Sequence, residues 1–505
     1  NGAGIKLKYG AAPGTNRSDT DLTGYWGTDF DSGRGNVSMM YNLSHREPQY
    51  TSDQWYTATS DHRGFLNGTD LEGTAALDLR STYTPWGNFV SPNGQIFQNG
   101  NAITSTAGYF HTELSDSQNC ATESSGGVCF ASGSASDDYK YDASKENTYL
   151  TPKVDRMNIF TNFTYQLMAD LELFGELSLY KAKTEYVTGS GLFSVNQPVY
   201  IPADAYYNPL GAMYLADGTT NPNRLVNLNN VSEEGTAVQL RNYRFADGGV
   251  RGVDVDNMQT RFLVGLKGWT NNDFEWESAV LYSQGKSIDK SEGYSVSKIV
   301  DALSGTTADA YNPFAGGSLT STSYGDDTVN SQDIIDSFTA WTKRESTSEL
   351  ASWDFKVNKS DIFNLPAGEV GFAAGIEVRY ESLKDDRDPL VDGSAPYTDW
   401  YTGTVYDSDL AGSSPTPDSY GSRNVKTAYL EFAVPLIAED FNIPLIQSLD
   451  MQLAARYESY SDVGDISTPK VALAWTVTDD LMFRGSWSEG FKAPNLEVLN
   501  AGEMA

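Results

Sequence analysis

The sequence predicts an all-β chain: a transmembrane antiparallel β-barrel, incomplete, with about thirteen or more strands and long extracellular loops. Three observations carry this expectation. Apolar and polar residues alternate with period two in segments of about ten residues, the length a tilted strand needs to cross a bilayer. The connections between these segments are short at one end and mostly long at the other, as in outer-membrane barrels with short periplasmic turns. The composition, 30 Tyr and 46 Gly in 505 residues, suits strands that show one side chain to oil and the next to water.

In chain order the strands are expected at 2–10, 19–30, 35–46, 154–167, 171–183, 258–270, 273–285, 346–358, 369–381, 424–436, 447–460, 467–478 and 481–491. In 449–459, Leu449, Met451, Leu453, Ala455 and Tyr457 share one face, and Asp450, Gln452, Arg456 and Glu458 the other. In 370–380 the apolar set Val370, Phe372, Ala374, Ile376, Val378 and Tyr380 opposes Gly371, Ala373, Gly375, Glu377 and Arg379. In the last strand Phe483 and Trp487 point toward lipid, Arg484 and Ser486 toward the lumen. Turns at one end fall at 31–35, 168–170, 271–272, 358–368, 438–448 and 479–480. The opposite end carries the long loops 47–153, 184–257, 286–345 and 382–423, rich in Gly, Ser, Asp, Asn and Thr, with 11–18 and 461–466 as short exceptions. One or two further short strands are expected within 47–153. A soluble sandwich also alternates, but nothing in it forces every second connection to be long.

A net charge of −32 makes nucleic acid a poor partner, because phosphate binding needs a basic footprint. The acids cluster in the long loops, as in 384–393 and 134–142, which is compatible with a membrane-spanning wall. No run of 18 apolar residues exists, so no transmembrane helix is expected. Cys120 and Cys129 are the two cysteines, eight small and polar residues apart. As a disulfide they would restrict the open chain by about 2.5–3 kcal/mol and imply an oxidising compartment. The segment 1–4 reads as the inside of a domain rather than a signal peptide, and the odd strand count suggests a piece of a larger barrel.

No catalytic, cofactor or metal-binding set is expected. His45, His62 and His111 are scattered, and the motifs of zinc proteases, serine hydrolases and phosphate-binding loops are missing. The acids of 385–393 and of 252–257 lack calcium-loop spacing and read as solvated acidic loops. An internal echo, "DAYYNPLG" (204–211) and "DAYNPFAGG" (309–317), reads as a pair of structural turns before substrate contacts. Trp400 and Tyr401, on an outward loop, suit either capture of a ligand with apolar and hydrogen-bonding faces or packing of the loop on its neighbours.

The closing stretch "LDMQLAARYESYSDVGDISTPKVALAWTVTDDLMFRGSWSEGFKAPNLEVL", with "PAGEVGFAAGIEVRYESL" (366–383) and "VKTAYLEFAVPL" (425–436), resembles the TonB-dependent outer-membrane receptors. Within it Arg484, Phe491, Ala493, Pro494 and Leu496 match the family's Arg-Gly-Ser and Phe-(Arg/Lys)-Ala-Pro-x-Leu signature. Over 1–367 the likeness is one of strand rhythm. The resemblance implies a monomeric receptor in the bacterial outer membrane. It would bind a scarce, large nutrient (a siderophore–iron complex, vitamin B12 or an oligosaccharide) and import it with energy passed by the TonB–ExbB–ExbD system. It also implies a 22-stranded barrel whose lumen a plug domain fills. Residues 1–505 then correspond to the barrel domain without its plug, TonB box and last strands. The alternatives are a passive porin-like channel, which needs an open polar lumen, and a secreted β-rich adhesin.

Overall fold

The computed structural model describes residues 2–113, 120–124, 127–135, 139–193, 197–315 and 330–501. Its frame is one antiparallel meander of thirteen strands, each bonded to its sequence neighbour in the frame. They are β1 (Gly2–Ala11), β2 (Ser18–Phe30), β3 (Gly35–Arg46), β4 (Lys153–Met168), β5 (Leu171–Thr188), β6 (Arg251–Trp269), β7 (Glu275–Tyr294), β8 (Thr339–Leu365), β9 (Gly368–Arg387), β10 (Ser419–Ile437), β11 (Ser448–Tyr460), β12 (Gly464–Thr478) and β13 (Leu481–Ser488). Every expected strand is present. The sheet is open: β1 and β13 do not pair, so the barrel is not closed.

Register assigns the two faces, because residues directly opposite in neighbouring strands point the same way. One row runs Trp26, Met39, Thr161, Leu177, Phe262, Tyr282 and Ala351. Another runs Phe372, Phe432, Leu453, Val471 and Trp487. This apolar face is well exposed, as in Phe262 and Trp487 at 48% and 57%, and is the lipid-facing side. The opposite face carries Glu277, Lys356, Glu377, Arg379, Glu381, Glu431, Gln452, Arg456 and Arg484 and lines the lumen side. The abundance of Tyr and Gly has a local cause. The rings of Tyr41 and Tyr429 lie across Gly24 and Gly375 on adjacent strands, where a Cβ would come within 2.2 and 2.4 Å of ring carbons.

The strands run further outward than sequence alternation indicates. Residues 252–257, expected as a solvated acidic loop, lie inside β6 with partners on β5 and β7. Residues 385–387 of the other acidic stretch belong to β9, where Asp385 binds Arg344 and Arg387 at 2.7 and 2.8 Å. Asp388 then caps a short helix, Pro389–Asp392, by accepting from the Leu390 amide at 3.1 Å. Backbone ladders continue past the bilayer because they need no apolar face in water. Likewise 358–368 is mostly strand, with a bulge between Lys359 and Phe363, and β13 ends at Ser488 rather than 491.

The four long loops build a roof with its own core. Short strands 199–201, 238–241, 88–90, 109–112, 129–132 and 122–123 form a six-stranded sheet from two of the loops. The expectation of one or two short strands within 47–153 undercounted them. Alternation turns Phe89, Phe110, Phe130, Val199, Ile201, Val238 and Leu240 inward. Helix α1 (Val296–Leu303) adds Val296, Ile299, Val300 and Leu303 at helical spacing. Its cap, Ser295, is tied to the 388–418 loop by Asp409, which accepts from the Ser295 hydroxyl and the Ser297 amide at 2.6 Å. Helix α2 (Gln332–Phe338) adds Ile335 and Phe338.

The echoed motifs sit at the centre of this roof. Asn208 Oδ1 accepts from the Leu210 amide and Asn312 Oδ1 from the Phe314 amide, at 2.9 and 3.0 Å. Each turn thereby drives Leu210 or Phe314 into the core, and the Tyr206 amide of the first motif donates to the Gly305 carbonyl, four residues before the second. Beside them Asp247 accepts from the Tyr311 hydroxyl at 2.9 Å and from the Asn330 amide group at 2.8 Å. Burial raises the Asp247 carboxyl above its usual range, outweighing the Asn330 and Tyr311 hydrogen bonds.

Truncating Phe314 to Ala is expected to remove about 3–5 kcal/mol from the roof. Faster proteolysis of the loops with an unchanged far-ultraviolet β signal would show it. Burial favours neutral Asp247 in the folded roof, so its stabilising contribution is whole below the ordinary carboxyl range and is lost as pH rises through the elevated value. Roof protection against protease should therefore fall from pH 4 to pH 7 in the wild type and stay level in Asp247→Asn. Parallel profiles for the two proteins would refute this assignment.

Candidate functional site

The outer face of the roof sheet is where the loops present chemistry to solvent. Tyr200, Gln239, Val90 and Tyr109 follow one another across four strands on this face, each half-buried. Arg241, next along its strand on the same side, donates to the Tyr109 hydroxyl at 2.7 Å with its guanidinium over that ring. A hairpin formed by 397–398 and 405–406 leans onto the sheet and carries the two aromatics expected from sequence. Tyr401 stacks on Tyr200, ring centroids 4.2 Å apart, and Trp400 Nε1 donates to the Tyr200 carbonyl at 3.1 Å. Both still expose nearly half their surface, 46% for Trp400 and 44% for Tyr401. The two sequence readings, packing and presentation, thus coexist: one edge of each ring fixes the loop and the rest faces water.

Asp399 sets this geometry. It is fully buried, and its carboxylate accepts from the amides of Tyr401 and Thr402 at 3.1 Å and from the Thr402 hydroxyl. An Asx-type turn of this kind holds the tip at the angle that lays Tyr401 on Tyr200. Sequence reading passed over Asp399 and Tyr200. Its only signal was an Asp one residue before the aromatic pair.

The roof arginines are largely engaged by the protein itself. Buried Arg244 meets Glu146 at 3.5 Å, donates to the Tyr83 carbonyl and covers Tyr141. Arg251 donates to the Gly189 carbonyl at 3.0 Å. Cys120 and Cys129 are joined, Cα atoms 5.5 Å apart, and staple the edge hairpin of the roof sheet. His45 lies on the outer wall between Asp155 and Glu47, His62 stacks on Phe65, and His111 is buried in the roof. Among the described residues no three His, Cys, Asp or Glu side chains group as a metal site.

Of the residues that match the expected signature, Phe491, Pro494 and Leu496 gather at the lumen side of β10 and β11. Arg423, nearly buried, binds Glu381 at 2.7 Å, lies over the Tyr460 ring and donates to the Pro494 carbonyl at 2.8 Å. Arg379 bridges Glu377 and Glu381 in the same ladder, at 3.1 and 2.6 Å. Phe491 meets Tyr460 edge-on, Leu496 is buried, and Ala493 lies between them in the chain. Arg484 stays on the lumen face of β13. The Phe-Lys-Ala-Pro break is therefore a clasp that returns the chain from the rim onto the lumen wall, with Arg423 as its anchor.

A wall with one apolar and one charged face, short turns at one end and a loop-built roof at the other describes part of an outer-membrane barrel. Residues 199–503 match the family model described as TonB dependent receptor-like, beta-barrel. The chain belongs to the TonB-dependent receptors. As such it is an outer-membrane β-barrel, of a family of transport receptors rather than enzymes. No curated protein matches the sequence. Among solved structures this receptor barrel is similar to a mutant of the ferric enterobactin receptor PfeA from Pseudomonas aeruginosa, at 11% identity and a TM-score of 0.38, over 96% of this chain and 43% of that one. It is similar also to the siderophore receptor PirA from Acinetobacter baumannii, at 10% identity and a TM-score of 0.38, over 98% and 43%. The ferric-catecholate import receptor Fiu from E. coli K12 follows at 7% identity and 0.30, over 96% and 60%. The chain spans less than half the length of PfeA and PirA.

Asp399→Ala is expected to free the hairpin tip of the receptor. Tryptophan emission should shift to the red and become more accessible to iodide, with the wall's β signal unchanged. Arg423→Ala should release the clasp and speed tryptic cleavage after Lys492 several-fold over the wild type.

Proposed function

We propose that this chain is the barrel of an importer that captures a large, ring-bearing, hydroxyl-rich nutrient at its roof, an oligosaccharide ahead of a siderophore–iron complex or vitamin B12. The observation that carries the reading is the half-exposed shelf of Tyr200, Tyr401 and Trp400 with Gln239 and Arg241 beside it. Flat aromatic faces with adjacent amide and guanidinium donors suit rings that are apolar on their faces and hydroxylated at their edges. Arg244 and Arg251 are committed to the protein, and the chain carries 67 acids against 35 bases, so a highly anionic chelate finds few free partners.

In this reading the thirteen strands are an arc of a larger, 22-stranded barrel. The free edges of β1 and β13 support it, since a bare ladder in hydrocarbon leaves each backbone polar group unpaired. The charged lumen face would receive a plug, through which TonB–ExbB–ExbD supplies energy to a monomeric receptor. Cys120–Cys129 would hold the roof sheet in the oxidising space outside the membrane.

Binding to the protein from its complete gene, measured by calorimetry with neutral oligosaccharides and ferric chelates, tests the reading. Tyr401→Ala and Trp400→Ala should each weaken oligosaccharide binding by roughly tenfold, since a stacking contact is worth about 0.5–1.5 kcal/mol beyond burial. Tight binding of a ferric chelate that ignores both substitutions would overturn it.

A further inference from the structure

We infer, on the oligosaccharide reading of the shelf, that the nutrient carries a carboxylate, as one uronic acid unit, and that Arg241 is the residue that selects it. The other arginines of the roof and its rim are taken. Arg63, Arg80, Arg244, Arg344, Arg387 and Arg423 meet carboxylates, and Arg224 and Arg251 donate to backbone carbonyls. Arg241 does neither among the described residues. Its Nη1 donates to the Tyr109 hydroxyl at 2.7 Å, and its Cζ lies 5.8 Å from the centroid of that ring. Its Nε and Nη2 donate to no described acceptor. That edge is the fork that takes both oxygens of a carboxylate at once.

Alternation puts Arg241 on the outer face with Gln239, while Leu240 between them is fully buried. Directly across from it, Asn88 shares that face. Its Oδ1 accepts from the Ser134 hydroxyl and the Ala135 amide at 2.6 and 2.7 Å, and its buried Nδ2 has no acceptor among the described residues. Donors therefore outnumber acceptors at this corner of the shelf, in a chain where acids outnumber bases 67 to 35. From Tyr200 to Tyr109 the shelf crosses three inter-strand steps, about 14 Å at ~4.8 Å each. The stacking rings stand at one end and the Tyr109–Arg241 pair at the other, so they address different units of one chain of sugars. Charge is graded along the same line. Burial and Asp399 raise the Tyr200 phenol above its usual range, and Arg241 opposes the rise. An anionic unit is thus favoured toward Tyr109 and disfavoured over the hairpin tip, where Asp399 lies.

One arginine with one free edge suits one charge. A planar carboxylate meets the planar fork with two hydrogen bonds at once, which a sugar hydroxyl cannot do. With Arg244 and Arg251 committed, further anionic groups on a ligand would find no second free guanidinium there, which sets a uronate apart from a multiply charged chelate. Tyr109 is the positioning residue. Its hydroxyl accepts from Nη1 and holds the guanidinium over the shelf, so the fork is ordered before the ligand arrives.

Calorimetry on the protein from its complete gene compares glucuronosyl-xylobiose and cellobiouronic acid with the same sugars after reduction of the carboxylate to a hydroxymethyl group. Wild type is expected to bind a uronate about tenfold tighter than its reduced counterpart, the effect of charge-assisted hydrogen bonds. Arg241→Gln should abolish that preference, Arg241→Lys should keep part of it, and Tyr109→Phe should diminish it. Tyr401→Ala should weaken both members of the pair and leave their ratio unchanged. Equal binding of the pair by the wild type, or a preference that survives Arg241→Gln, overturns the inference and leaves the oligosaccharide reading standing. Binding of neither member of either pair overturns both.

Discussion

Everything in this chain depends on one constraint: in hydrocarbon, a backbone N–H or C=O finds its partner only on a neighbouring strand. The meander of thirteen strands answers it by pairing each strand with the next in near-continuous register, so that turns at one end stay short. Once register is continuous, facing follows from the pleat. A residue two places along returns to lipid, and a residue directly across shares its environment. The same ladder that satisfies the backbone therefore aligns Phe262, Tyr282 and Ala351 toward lipid.

The constraint lapses outside the membrane, and the chain changes its manner of folding there. The wall has little interior; its largest fully buried side chains, among them Trp86, Phe89, Phe245, Tyr311 and Phe314, all lie in the loops. Those loops close on themselves as a soluble domain does, with a small sheet, three capped helices and buried Asn-Pro turns. A roof so packed holds Tyr200, Trp400 and Tyr401 on a rigid base, which lowers the entropy that a ligand must overcome in ordering them. The clasp around Arg423 performs a similar task at the rim, holding the chain after β13 against the lumen wall.

Strand order and facing were legible in the sequence because period two repeats over ten residues in each wall segment. Strand ends were less so: Asp254 and Asp256 look like loop residues, yet the ladder runs through them. The candidate site was half legible. Trp400 and Tyr401 stand out as paired aromatics in a polar loop, but Tyr200 lies two hundred residues away and Asp399 resembles any loop acid. Short strands such as 88–90 and 199–201 carry too few residues for alternation to show.

By itself the sequence determined the wall: an antiparallel meander, lipid on one face, charge on the other, and the receptor family its closing motifs resemble. Those properties are local and repeated, so each strand announces them independently. Only the tertiary structure decided the roof, the stacking of Tyr401 on Tyr200 and the clasp on Arg423. Each depends on which residues of distant segments come to lie opposite one another, and that is settled by register and packing rather than by any single stretch of chain.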